Sequence, residues 1–390
     1  MRHALIALLR SRANLILLVS SILVGIALFE VAVRLVGIDY NLSPNWKFHP
    51  VLGWSQVPNG KYETLLNGKP LRVRFNSLGF RDEEHQLAKP PGVKRIVVIG
   101  DSFSEAVQVN VEETFHHLLQ GMLNAHGGTR WEVINIGVGD FGTAQEYIAL
   151  VRYGLAYQPD VVIHEIFPLN DICNNGIELV DLCRSKNDQY RPYFVEKDGD
   201  LAQTYSQPVR NWMRHHVVTF NVMEYWLQKL AGFDPQSPKD RWRPLKLLIA
   251  GFKSLDPLLY TYVHADAQPK SVADAWRVTD RLIERIADTS KARGAAYIGM
   301  VVPFEMVLQP AWAEFQKKMP PPRMDGHYPE DRLASLYGRM HVPYVMLTDY
   351  FQPYLSEVLP FIDGHLSQAG HRRAAEALYA QLVAAGIAGK

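Results

Sequence analysis

At 390 residues, the chain is long enough for one large domain or two modest ones. Its composition, 47% hydrophobic and 21% charged, is that of a packed globular protein, and 41 Lys and Arg against 40 Asp and Glu leave a formal net charge of +1. That balance excludes bulk disorder and gives no reason to expect a strongly charged partner. No basic stripe is interleaved with aromatics, so nucleic-acid binding is set aside.

The N-terminus departs from this average. Leu15 to Phe29 carry no charge, Arg10 and Arg12 precede them, and apolar character continues to Val36, interrupted by Glu30 and Arg34. About 20 mainly apolar residues cross a bilayer, so residues 14–37 are read as a single transmembrane anchor. The basic flank predicts a cytoplasmic N-terminus, residues 1–13, with the rest of the chain outside. Glu30 and Arg34, four apart, can pair on one helix face near the far interface. A cleaved signal peptide is the competing reading, but the run leads into Glu30 and Arg34 without a small-x-small site.

Residues 38–93 read as a linker with a small β region. Strands are predicted at Tyr62 to Leu66 and Leu71 to Phe75, around an Asn67-Gly68 turn. The stretch Asn76 to Asp82, NSLGFRD, follows as a compact loop. Residues 94–390 then alternate. Apolar runs predict strands over 95–100, 131–138, 161–167, 295–302 and 344–348, and helices over 114–125, 143–157, 272–291, 329–339 and 369–385. Such alternation predicts an α/β fold in three layers, with about five mostly parallel strands between helices. Residues 172–270 break the pattern. The interval is too long for a plain loop and is read as an insertion near the site.

Of the remaining polar features, few carry chemistry. The two cysteines, Cys173 and Cys183, cannot make a zinc site alone. In an exported domain they can close a short disulfide loop, on the order of 2–3 kcal/mol. His116-His117 and His215-His216 are adjacent pairs whose side chains diverge, and His164-Glu165 lies in a strand with no third partner in view. No set of Asp, Glu, His and Cys has metal spacing, and nothing asks for a cofactor. Trp212, Trp226, Trp242 and Trp276 either line a carbohydrate groove or belong to the core of the insertion.

Four segments fall at the C-terminal ends of predicted strands or beside a helix start, where an open parallel sheet forms its ligand crevice: Gly100-Asp101-Ser102-Phe103, Asn135 to Gly139, Asn170-Asp171 and Asp363-Gly364-His365. A serine at a strand-to-helix turn exposes its hydroxyl and leaves its N–H at a helix start. The hydroxyl needs a base within hydrogen-bond reach, and histidine is the usual one near neutral pH. His365 is that base, and Asp363, two residues before it, is placed to hold the imidazole tautomer. The Ser102 N–H, a backbone N–H of the 137–140 loop (Gly139 or Asp140) and the Asn170 amide are candidate donors to the oxyanion. Taken singly, each segment is also a turn, a helix cap or a surface residue. Their joint order and placement carry the reading.

In these segments the chain resembles the SGNH hydrolase superfamily, the GDSL-like lipases and esterases. Gly100-Asp101-Ser102 matches the first block, which puts the family nucleophile on Ser102. Asn135-Ile136-Gly137 matches the start of the second, and its oxyanion glycine aligns with Asp140, or with Gly139 after a one-residue shift. The third block, Gly-x-Asn-Asp, is Pro168-Leu169-Asn170-Asp171 here, with the glycine lost and the asparagine kept. The last is Asp363-Gly364-His365, one residue shorter than the usual Asp-x-x-His, and it resembles the extracytoplasmic polysaccharide-modifying branch. The resemblance implies a flavodoxin-like SGNH fold and a serine esterase acting on a small acyl group, such as acetyl, of an extracytoplasmic glycan. An O-acetyltransferase is the near alternative, and a non-catalytic membrane-tethered glycan-binding or assembly protein the distant one. The implied partners are an ester or acylated glycan and the membrane, with periplasmic placement if the cell is Gram-negative. No protein partner is implied.

Overall fold

The computed structural model describes residues 2–36, 46–66, 69–125, 128–179, 190–230, 263–318, 324–355 and 360–389. The chain opens with α1 (Arg2–Val36), followed by two antiparallel hairpins, β1 (Trp46–His49) with β2 (Gly53–Gln56) and β3 (Lys61–Leu66) with β4 (Lys69–Arg74). The alternating part begins with β5 (Val93–Ile99), the one-turn α2 (Ser102–Glu105), α3 (Phe115–Ala125), β6 (Arg130–Asn135), α4 (Thr143–Arg152), β7 (Val161–Ile166) and α5 (Pro168–Asn175). A third hairpin, β8 (Pro192–Lys197) with β9 (Asp200–Tyr205), leads to α6 (Pro208–His216) and α7 (Val218–Leu230). After α8 (Lys270–Ala292) come β10 (Ala296–Val301), α9 (Ala311–Lys318), α10 (Tyr328–Met340), β11 (Tyr344–Met346) and α11 (Leu347–Phe351). The chain closes with a small hairpin, β12 (Phe361–Ile362) and β13 (His365–Leu366), and α12 (Gln368–Ala384).

Five strands form one parallel sheet in the order β11-β10-β7-β5-β6. Counted along the chain this is 2-1-3-4-5, the flavodoxin-like doubly wound order, whose crevice opens where the winding reverses, between β5 and β7. The apolar runs dictate the layers. Alternate residues of β5 face opposite ways: Val97 and Ile99 into the core under α4, α8 and α10, and Ile96 and Val98 into the core under α3 and α12. Helix α8 shows the matching stripe, with Val272, Ala275, Trp276, Thr279, Leu282, Ile283 and Ile286 buried at helical spacing. The expected α/β architecture is therefore present.

The structure also differs from the sequence reading in places. The strand expected over 131–138 stops at Asn135, because Asn135 turns its side chain to the backbone of the following loop. The helix expected over 143–157 ends at Arg152 and continues as a 3₁₀ turn, Gly154–Tyr157. Three hairpins, β1–β2, β8–β9 and β12–β13, were not anticipated. Within the 172–270 interval Trp212 and Trp226 are exposed and Trp242 lies outside the described residues, while Trp276, just beyond the interval, is buried. Cys173 is buried on α5, and Cys183 also lies outside the described residues.

Helix α1 contains one stretch, Ala13–Val36, long and apolar enough to cross a membrane, and it is almost wholly exposed.

Candidate active site

Ser102 opens α2, directly after the C-terminal end of β5. The Asp101 carboxylate caps that turn by accepting from the Phe103 N–H at 2.8 Å. Gly100 is obligatory. A Cβ there would lie 2.3 Å from Glu165 Oε2 and 2.5 Å from Ser104 Oγ. The hydroxyl of Ser102 meets the imidazole of His365, with Nε2 3.0 Å from Oγ, although 263 residues separate them.

His365 begins β13. The turn before it, Asp363-Gly364, joins two paired strands, and both residues have positive φ (53° and 73°). That is the type I′ pattern for which Asp-Gly is a preferred sequence. The imidazole Nδ1 lies 3.1 Å from the main-chain carbonyl oxygen of Asp363. A carbonyl only accepts, so Nδ1 carries the proton and the lone pair of Nε2 faces the Ser102 hydroxyl. This is the tautomer a general base requires. The sequence reading gave the orienting role to Asp363. The structure gives the contact to its main-chain oxygen, while the exposed side chain points into the turn's solvent side. Phe103 packs against the imidazole, with ring centroids 5.2 Å apart, and fixes it from the other side.

The donors expected for an oxyanion divide. Gly139 lies against the buried Glu105 side chain, where a Cβ would come within 2.7 Å of Glu105 Oε2. Asp140 follows with φ 64°, the left-handed conformation that favours glycine. Arg191 holds it there, donating to its carbonyl at 2.8 Å and lying 3.4 Å from its carboxylate. Asn170, on the first turn of α5, donates through Nδ2 to Asp101 Oδ2 at 2.6 Å, and a second hydrogen remains on that nitrogen. Ser102, Asn170 and His365 thus gather around the β5–β7 crevice.

Beneath them lies a set of buried acids that sequence reasoning missed. Asp101, Glu105, Glu146, Glu165 and Asp171 are all buried. Burial pushes Asp101 up to about 6 and Glu105 up to about 7, and raises Glu146, Glu165 and Asp171 well above the usual carboxylate range. Glu165 also accepts from the Asp101 N–H and the Ser104 hydroxyl. Asp171 ties the start of α5 to α4, accepting from the Phe167 N–H and the Thr143 hydroxyl. His164 does have partners, Glu146 and Tyr297, each at 2.8 Å. Burial lowers His164 to about 3, so it is neutral in this chain of hydrogen bonds.

The N-terminal β region braces this floor. Gln56 of β2 donates to Glu105 at 2.5 Å, and Trp54 donates to the Gly139 carbonyl at 3.1 Å. The compact 76–82 loop has a specific task. Its Arg81 guanidinium, wholly buried, donates to the main-chain carbonyls of Glu105, Ala106 and Val109, the end of the nucleophile turn. Asp82 accepts from the Asn135 N–H, and the Asn135 amide donates to the Ser104 carbonyl. Two further histidines make buried structural contacts. His116 bonds the Thr114 hydroxyl, and His371 accepts from the Phe115 N–H. Among the described residues, no group of three or more His, Cys, Asp or Glu is placed to hold a metal ion.

No family model matches the chain, and no curated protein does. Among solved structures, it is similar to the acetyl xylan esterase AlAXEase, at 12% identity and a TM-score of 0.39, over 73% of this chain and 98% of that one. It is similar to TesA at 13% identity and a TM-score of 0.34, over 74% and 98%. A lipolytic protein of the G-D-S-L family from Desulfitobacterium hafniense DCB-2 matches at 11% and 0.34, over 74% and 99%. At such scores the weight stays on the geometry of this chain.

Proposed function

We propose that the chain is a serine esterase of the SGNH type, with Ser102 as nucleophile and His365 as base. The observation that carries this is the 3.0 Å contact between Ser102 Oγ and His365 Nε2, with the imidazole tautomer set by the Asp363 carbonyl. As Ser102 Oγ attacks the ester carbonyl carbon, Nε2 takes its proton. The oxyanion is received by the Ser102 N–H, the Asp140 N–H and the second hydrogen of Asn170 Nδ2. Asp140 is assigned in preference to Gly139 because it aligns best with the family's oxyanion glycine and holds the left-handed conformation that favours glycine. The imidazolium then protonates the departing alcohol, leaving the acyl group on Ser102. Water, deprotonated by Nε2, releases it as the acid.

The finer reading is an acetyl group on an extracytoplasmic glycan, with α1 as an uncleaved anchor and the site outside the cytoplasm. Its supports are the apolar, exposed Ala13–Val36 stretch behind Arg10 and Arg12 and the resemblance of Asp363-Gly364-His365 to the polysaccharide-modifying branch. A transferase would use the same acyl-enzyme and replace water by a sugar hydroxyl. The test is a panel of p-nitrophenyl esters of rising chain length, with and without a glycan acceptor, together with fluorophosphonate labelling. Turnover on acetyl ester and a label on the peptide containing Ser102 are expected. Absence of both, with acceptor present, would support the non-catalytic alternative. A reporter fused after residue 45 should be active only outside the cytoplasm.

A further inference from the structure

Helices α6 and α7 are built inside out. Their polar residues Asn211, Arg214, Asn221 and Glu224 are buried, with Arg214 and Arg210 both paired to Glu224. Val222 is buried with them, but five large apolar residues point outward: Val209 and Trp212 on α6, and Met223, Trp226 and Leu227 on α7, are between 53% and 74% exposed. The spacings, i to i+3 on α6 and i, i+3, i+4 on α7, put each set on one helix face. In a water-facing helix the polar face turns outward, so this inversion calls for an apolar or interfacial neighbour.

The position of that face is given by α1. The Glu30 carboxylate accepts from the N–H groups of Val218 and Thr219 at 2.8 and 2.7 Å, satisfying the first turn of α7. Arg34 donates to Glu30 and to the carbonyl of His216 at the end of α6, and Val33 beside it is buried. The junction of α6 and α7 is therefore latched to α1 at Glu30. Seventeen residues after Ala13, at 1.5 Å each, Glu30 lies about 26 Å along the span, close to the far boundary of a hydrocarbon core about 30 Å thick.

We propose that α6 and α7 form a platform that rests in the headgroup region of the bilayer beside α1, with Trp212 and Trp226 as interfacial anchors. The proposal rests on reading α1 as a membrane span. Tryptophan is favoured at that depth because its ring is apolar and its N–H is polar. A domain held this way has a fixed height above the membrane, not a freely swinging tether.

The test uses the full chain in nanodiscs made with phosphatidylcholine brominated near the headgroup end of its acyl chains, which quenches only tryptophans at that depth. Wild type is compared with Trp212→Phe, Trp226→Phe and the double variant, which keep the apolar face and place folding at little risk. We expect a quenched component in the wild type that falls by at least half in the double variant. If the chain stays in the membrane but the double variant loses the same intensity to bromine as the wild type, the platform does not touch lipid and the inference is overturned. If alkaline carbonate extracts the wild-type chain from membranes, the anchor reading fails, and the platform with it.

Discussion

Ser102 stands on a floor of buried groups, whereas His365 is carried on a hairpin of two-residue strands whose turn lies in solvent. The Ser102 side is over-determined. Asp101, Glu165, Asn135 and Arg81 each hold a specific backbone atom of the 100–109 segment. The His365 side has turn geometry, the Asp363 carbonyl and the face of Phe103 among its supports. The difference teaches that the two partners fail differently. Damage beneath Ser102 should be felt as stability and position together, while damage at the hairpin should be felt as protonation and reach alone.

The largest expected effect is at the junction of the two sides. Ser102→Ala should remove at least 1,000-fold of ester kcat/KM and all fluorophosphonate labelling, and His365→Ala should lose a comparable amount. The double variant should be no worse than either single one, because the two residues act as a unit. A folded Ser102→Ala with wild-type turnover would break the comparison outright. Asn170→Ala should cost about 100- to 1,000-fold in kcat, roughly 2.7–4 kcal/mol, as loss of one oxyanion donor does. It should also disturb Asp101, its partner at 2.6 Å.

The floor itself is tested through Glu105. Burial raises its folded-state pKa from 4.5 to about 7, so the folded chain holds that proton more tightly than the unfolded one. Its contribution to stability is fully present below about pH 4.5 and is lost as pH rises through about 7. Glu105→Gln should flatten that slope and exceed the wild type at pH 8 by on the order of 3 kcal/mol in urea unfolding. An unchanged slope would show that Glu105 is not a protonated member of the floor. The smallest effect is expected at Asp363→Asn. Asparagine tolerates the left-handed turn position, and the main-chain carbonyl that orients His365 is retained, so kcat/KM should fall less than about threefold. A loss near 10,000-fold would mean that the Asp363 carboxylate orients the imidazole during turnover, as a triad aspartate does.

Much of the architecture was legible because it is written in local patterns. RIVVIG, VVIHEIF and AAYIGMVV are short, continuously apolar runs, the signature of strands buried on both faces, and they became β5, β7 and β10. The β3–β4 hairpin was legible, but the other three were not, although one signal was present twice. Asp198-Gly199 between β8 and β9, like Asp363-Gly364, is an Asp-Gly pair with both φ positive. Ser102 and His365 were legible as residue types at strand ends, yet only the fold brings them together. The buried acids were not legible at all. Nothing near Glu105 or Glu146 in the sequence distinguishes a carboxyl facing water from one facing a core, because the neighbours that desolvate it come from other elements. Arg81 was the nearest miss: its loop was singled out as compact, but its carbonyl targets lie 24 to 28 residues onward.

Gly100 imposes an order on how this floor can change over time. Its missing methyl group leaves space that Glu165 and Ser104 fill from two directions, and the nearby Gly137 leaves space filled by the Ser104 side chain. A larger residue at 100 is admissible only after both 104 and 165 have shrunk or turned away, and each of those steps first strips a partner from the Asp101 N–H or from the other. Each single departure from such a cluster therefore leaves a buried group without its partner. The three positions should therefore vary together or stay fixed, and alanine scanning at any one of them will understate how tightly they are bound to one another.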